Sequence, residues 1–267
     1  VNFTGNLNPE TLTDPSIRAD RQTAYSRRGN SSTEGQLEVV LVPDNYDMFL
    51  EAALQGTWTA NVLKIGTNQR SFSVEQGFLD LNQFRVFNGV VVNTMSVAVN
   101  TDDLVNATFG LMGKSATNFS ATSLDTTPTP VTTKDKFFHE GGTFNEGGVA
   151  VAYLSQISFE LNNNVSGNRA LGVTGFRNMT SGKVAVSGSV TGLFESVDLY
   201  NKFTSNADTS LSFTLVAGAE TLKFDFPRIK YTSANITANG DAGVTVEMNW
   251  EALYESTSAT TMTITRV

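Results

Sequence analysis

Apolar and polar residues alternate along most of this chain, and the alternation comes round twice. Residues 36–42 predict a strand that Pro43 ends. Asp44 then predicts the N-cap of a helix running to about Gln55, with Gly56 as its stop. Met48, Phe49, Ala52 and Ala53 have the spacing of one buried stripe on that helix. The second half repeats the order: a strand over 190–194, Ser196 as cap, then Leu199, Tyr200 and Phe203 on a helix. Each helix leads into a predicted hairpin, residues 60–76 turning at Gly66-Thr67-Asn68 and residues 210–226 turning at Ala217-Gly218. Leu63, Ile65, Phe72 and Val74 alternate with polar partners, so one face of the first is buried.

Each half closes on a second hairpin. Residues 90–115 and 231–256 align without a gap, Met95 opposite Ile236, Val105 opposite Val246 and Phe109 opposite Trp250. Their turns fall at Asn100-Thr101-Asp102-Asp103 and at Asn239-Gly240-Asp241-Ala242-Gly243. The expected fold class is all-β, two tandem β-sandwich or barrel domains, each with a short flanking helix. Residues 1–130 form the first domain with a polar N-terminal arm, and 131–267 the second, preceded by a linker over 131–148. The linker composition begins at Thr126-Thr127-Pro128-Thr129-Pro130 and includes Gly141-Gly142 and Gly147-Gly148.

Three stretches stand outside this pattern. Residues 77–84 carry Phe78, Leu79, Leu81 and Phe84 without a counterpart in the second half, which predicts a contact with a neighbour. Arg18, Arg21, Arg27 and Arg28 cluster in the arm, which is either solvated or docked on the acidic surface of a neighbouring subunit. Phe137 and Phe138 make the linker apolar enough to lie on a surface.

Composition agrees with strands and turns. Hydrophobic residues make up 40% of the 267, 18 of them Phe, so each half can build a core, and charged residues are only 16%. The net charge of −8 argues against a protein that binds DNA by neutralising phosphates, yet suits one that lets DNA pass unheld. There is no cysteine, so neither a disulfide nor thiolate chemistry is available, and folding in the cytoplasm is expected. No apolar run approaches the ~20 residues of a membrane span. The opening Val1-Asn2-Phe3-Thr4-Gly5 is polar, unlike a signal sequence.

Catalytic chemistry is hard to place. His139 is the single histidine, so no zinc site can be assembled, and no nucleophile elbow accompanies it. Asp102, Asp103 and Asp241 sit where turn geometry already explains them, without an EF-hand spacing. Glu75, Asp225 and Glu247 lie on alternating strands, as solvated faces do, although paired carboxylates of a glycosidase have no sequence signature to exclude them. No phosphate-binding glycine loop joins a strand to a helix. The sequons at Asn2, Asn30, Asn106, Asn118, Asn164, Asn178 and Asn235 are expected by chance in a chain this rich in Asn, Ser and Thr. No cofactor is implied. A duplicated fold without catalytic residues points to symmetric assembly.

The run Ser71-Phe72-Ser73-Val74-Glu75-Gln76-Gly77-Phe78, then Asp80, Gln83, Val86-Phe87-Asn88-Gly89, Val92-Asn93-Thr94-Met95-Ser96 and Phe109-Gly110-Leu111-Met112-Gly113-Lys114, resembles the major tail tube proteins of long-tailed bacteriophages. Residues 50–58 upstream and residues 155–168 and 250–266 downstream are similar to the same family. The resemblance covers most of the chain from about Ile17. It implies a structural virion protein made in the bacterial host cytoplasm, with tube-type domains whose strands join around the ring into one barrel of about 24 strands. It implies stacked rings, with the tail tip, tape-measure and tail terminator proteins as further partners, and viral DNA crossing the lumen without specific binding or membrane insertion. One tube domain per chain is usual in hexamers, so two per chain would give trimeric pseudo-hexameric rings. On that reading Glu75, Asp225 and Glu247 are lumen carboxylates. The 77–84 stretch, the arginines and Phe137-Phe138 are stacking contacts. An exported β-sandwich adhesin or a capsid decoration protein is the alternative, as a binding module. Contractile injection tubes share the fold.

Overall fold

In the computed structural model, residues 1–125, 127–130, 132–238 and 243–266 are described. The first half carries β1 (Asn2–Thr13), β2 (Ser26–Val40), α1 (Asp47–Leu54), β3 (Val62–Lys64), β4 (Phe72–Phe78), β5 (Gln83–Asn100), β6 (Asn106–Gly113) and β7 (Ser115–Ala116). The second carries β8 (Phe144–Glu146), β9 (Val149–Ala150), β10 (Leu154–Asn162), β11 (Ser166–Asn168), β12 (Asn178–Thr180), β13 (Ala185–Leu193), α2 (Asp198–Thr204), β14 (Thr209–Ala217), β15 (Glu220–Ala238), β16 (Val244–Ala252) and β17 (Thr263–Arg266). The fold is all-β.

One antiparallel path runs β1-β2-β6-β5-β10-β13-β16-β15-β14-β8-β9. The order β1-β2-β6-β5, with β4 on the far side of β5, recurs as β10-β13-β16-β15-β14. β5 and β15 are the long strands, and each changes partners along its length. β5 pairs with β4 up to Val90, with β6 from Val91 on and with β10 from Thr94 on, shifting register at Val92/Thr94. β15 pairs with β14 up to Ile229 and with β16 from there on, shifting at Tyr231/Ser233. A bulge raises local twist and bends a strand, which lets one strand serve two layers.

Those two shifts fix how the halves correspond. They set Thr94 against Ser233, hence Phe109 against Met248 and Leu111 against Trp250. The gapless sequence alignment is therefore two residues out. A slip of two keeps every side chain on its face, which is why the hydrophobic pattern could not detect it.

Several local expectations are corrected. Residues 60–76 are not a hairpin: β3 pairs with the C-terminal β17, and β4 pairs with β5. The intervening backbone is held by α1, with Gly66 donating to the Leu54 carbonyl and Asn68 to that of Gln55. The tip at 78–83 consequently belongs to the β4–β5 hairpin, the counterpart of β14–β15. The extra length of the first half lies before β4, in residues 55–71, whereas residues 205–208 suffice between α2 and β14. The predicted turn at Ala217-Gly218 is present, with Gly218 at φ 62°. The turn at 239–242 lies outside the described residues. β2 begins at Ser26 and pairs with β1 along its length, so the expected arm is an ordered ribbon.

α1 starts two residues later than expected. Asp44 does not cap it; its carboxylate meets Lys134, 2.5 Å away, and Tyr46 is the residue before the first turn. Gln55 ends it in the left-handed conformation, φ 51°. Leu50, Ala52, Ala53 and Leu54 are buried, Phe49 packs on Phe72 and Phe109, and Met48 faces solvent. Val197, not Ser196, is the N-cap of α2; Ser196, one place earlier, accepts from the Asp198 N–H at 3.0 Å, and Leu199 is buried.

The main core cluster draws on both halves, as does a small second one of Val91, Val165 and Met179. Phe159 on β10 is the hub of the main cluster, within 5.2–6.2 Å of Phe213, Phe224 and Phe226, and Phe226 packs on Trp250 at 4.8 Å. Phe137, expected on a surface, is 3% exposed: its N–H donates to the Leu41 carbonyl and its carbonyl accepts from Val105. The neighbouring Phe138 exchanges backbone bonds with Val216. The connecting segment is thus sewn into both halves rather than laid across them.

Candidate functional site

Strand alternation gives the eight-strand run from β1 to β15 one apolar face and one polar face. One register row of the polar face reads Asn2, Glu38, Thr108, Ser96, Glu160, Ser187, Glu251, Lys230 across all eight strands. A parallel row reads Asn100, Gln156, Thr191, Glu247, Asn235. Glu34 stands on β2 beside Asn6 of β1. Glu34, Glu38, Glu160, Glu247 and Glu251 are all exposed. Lys230, the one cation in these rows, ends the first and turns to Asp208, 3.6 Å away.

Short hydroxyl and amide side chains fill the spaces between the carboxylates and pair across strands. Ser158 and Ser189 lie 3.0 Å apart, Asn249 donates to Ser233 at 2.8 Å, and Asn2 donates to Glu38 at 3.1 Å. Such pairs fix side chains at modest individual energies. Ser96, Ser158, Glu160, Ser189, Asn249 and Glu251 line an open depression of about 690 Å³, so the face is concave there. Gly188 sits at its floor, where a Cβ would meet the Trp250 ring at 2.5 Å. Among the described residues no cluster of His, Asp and Glu could hold a metal ion. A wide, acidic, hydroxyl-rich concavity without convergent groups can repel or pass a polyanion.

Glu247 is the one sequence-predicted carboxylate on this face. Glu75 lies on β4, where it accepts from Ser123 and from the Leu124 N–H. Asp225 lies on the β14-paired part of β15, 3.4 Å from Lys223. Glu34, Glu38, Glu160 and Glu251 were missed. The alternation Ser155-Gln156-Ile157-Ser158-Phe159-Glu160 was a readable signal for one of them.

The other predicted contacts are spread over the surface. Leu79 and Leu81 are 81% and 67% exposed at the β4–β5 tip, and Phe78 contacts Phe119. Phe84 is half-buried and exchanges backbone bonds with Ser120. Arg27 and Arg28 pair with Leu12 and Thr11 toward the far end of the β1–β2 ribbon, and Arg18, in the loop between those strands, is engaged by Asp20 at 2.8 Å. Arg21 occupies the same loop at φ 60°.

Two strand edges on the same sheet are open. Among the described residues β1 pairs with β2 alone, and β15 beyond Ile229 pairs with β16 alone. Arg85 holds β1 from beneath, donating to the Gly5 carbonyl at 2.8 Å while its guanidinium lies over Phe87. No helix among the described residues is long and apolar enough to cross a membrane.

No curated protein matches the chain. The family model described as "Phage tail tube protein" matches residues 5–252, a span that takes in all of the polar face and open edges except the first three residues of β1. The chain therefore belongs to the phage tail tube family, and is a structural protein of the virion tail.

Proposed function

We propose that three copies of the chain close into a ring, that rings stack into the tube, and that the polar face lines the channel through which the genome leaves. Each chain then contributes two tube-type units, residues 1–130 and 131–267, and three chains supply about 24 strands around the bore. The observation that carries this reading is the eight-strand face with five exposed glutamates, in which one four-strand order occurs twice. Closure also gives each open edge a partner, and a closed barrel has none left to aggregate.

The lumen works by not binding. Duplex DNA contacting even a few cations per ring would be held, because phosphate contacts add along the tube. Glutamates among Ser, Thr and Asn keep the wall hydrated and the field repulsive. Stacking falls to the apolar tip at Leu79 and Leu81, with the ribbon arginines facing the acidic surface of the next ring. Tail tip, tape-measure and terminator proteins would meet the same ring faces at the ends of the tube.

Two measurements test the proposal. Electron microscopy of tails should resolve three chains per ring; six would overturn the trimer. Particles carrying Glu160→Lys, Glu247→Lys and Glu251→Lys should eject DNA at least tenfold more slowly. Ejection at the normal rate would overturn the lumen assignment.

A further inference from the structure

We propose that the ring closes by pairing β1 of one copy with residues 233–238 of β15 in the next, in the register that β10 and β5 already use inside the chain. The proposal rests on the ring reading above and specifies its contact.

The chain contains its own template. β10 lies against β5 with Val97 opposite Phe159, Val99 opposite Ile157, Met95 opposite Leu161, Ser96 opposite Glu160 and Ala98 opposite Ser158. β15 stands in the second half where β5 stands in the first, with Thr94 and Ser233 as the matched bulge positions. β1 stands where β10 stands. Gly35, beside Leu111, matches Gly188, beside Trp250, so their neighbours Gly5 and Phe159 match as well. Transferring the register gives Gly5 opposite Ile236, Phe3 opposite Ala238, Leu7 opposite Ala234, Asn6 opposite Asn235 and Thr4 opposite Thr237.

Three observations support that register. Every apolar pair sets a large residue against a small one, as dense packing requires. The uncovered side chains are those that would gain a neighbour: Ile236 is 45% exposed and Leu7 36%, while their matches Val97 and Leu161 are 1% and 0% exposed. The polar pairs hold no like charges, and opposed Thr residues are favourable cross-strand partners.

The absence of cysteine makes a clean test. Directly opposed strand residues fall within disulfide reach, whereas positions two residues out of register do not. Tubes are assembled from Thr4→Cys/Thr237→Cys under reduction, checked by electron microscopy and then oxidised. The expected product is a covalent closed set of three chains, at least tenfold more abundant than from Thr4→Cys/Asn235→Cys. Tubes that give no cross-link, or the out-of-register one, overturn this contact and leave the ring reading standing. Should the cysteine pair block assembly, hydrogen exchange on unsubstituted protein decides. The outward-facing alternate amides of residues 3–7 and 233–238 should slow at least a hundredfold in tubes relative to free chains, and unchanged exchange overturns the contact. Unsubstituted protein that forms no rings in virions overturns the parent reading, and this contact with it.

Discussion

In the first half of the chain, α1 is separated from β4 by residues 55–71; in the second, α2 runs into β14 through residues 205–208. The long segment brings β3 to the C-terminal β17, and β17 joins it to β15 of the other half. The two hairpins that follow differ as well. β4–β5 ends in exposed leucines and is buttressed by Ser120 and Phe119, whereas β14–β15 ends in a tight turn and is flanked by β8. The strand order between these attachments is the same. The halves share the strand order and differ in what is attached at its ends.

The strongest way to break this comparison is to ask whether the halves unfold separately. Phe159→Ala empties the hub of the shared core and should cost about 3–5 kcal/mol. The loss should appear equally at Trp58 and Trp250, the chain's two tryptophans, when each is followed alone by fluorescence in urea. Two separated transitions would mean that the shared core does not couple the halves. Next come the matched glycines. A Cβ at Gly188 would meet the Ser158 carbonyl at 2.3 Å and one at Gly35 the Thr4 carbonyl at 2.4 Å, so either Gly→Ala change should cost about 1–3 kcal/mol. A cost at one site alone would break the correspondence between the halves.

The outward difference is tested by Leu79→Ser with Leu81→Ser. Folding stability should stay within about 0.5 kcal/mol, while rings should no longer stack under the microscope. Ala219→Ser on the opposite hairpin should leave tubes intact. The smallest effect is at the turn that leads into β17. Glu255 accepts the N–H groups of Ser258 and Thr257, which holds its carboxyl at about 2 rather than the ordinary 4.5. Its contribution is therefore full above about 4.5 and fades as pH falls through about 2. The melting difference between the protein and Glu255→Gln should be larger at pH 7 than at pH 3.

The sequence made the family, the β class and the polar alternation legible, because a period of two survives without tertiary information. It misjudged what depends on partners distant in the chain. Residues 62–64 look like half of a local hairpin until 263–265 are seen beside them. Glu34 precedes the strand expected from residue 36, and nothing local to it or to Glu38 reveals that β1 comes back to pair with β2. Phe137 reads as a surface residue because its stretch is a linker by composition, yet its backbone bonds to Leu41 and Val105 and its side chain is buried. Alternation alone points to Glu75 and Asp225, and it assigns a face but not a layer.

The pairing of β3 with β17 also bears on how the protein is made. Lys64 finds Thr263 only after nearly the whole chain has left the ribosome, and contacts this distant in sequence form slowly. A nascent chain holding only its first half lacks both this strand pair and the β10 edge that covers β5. The strand pairs that tie the two halves together therefore form only after both have been made.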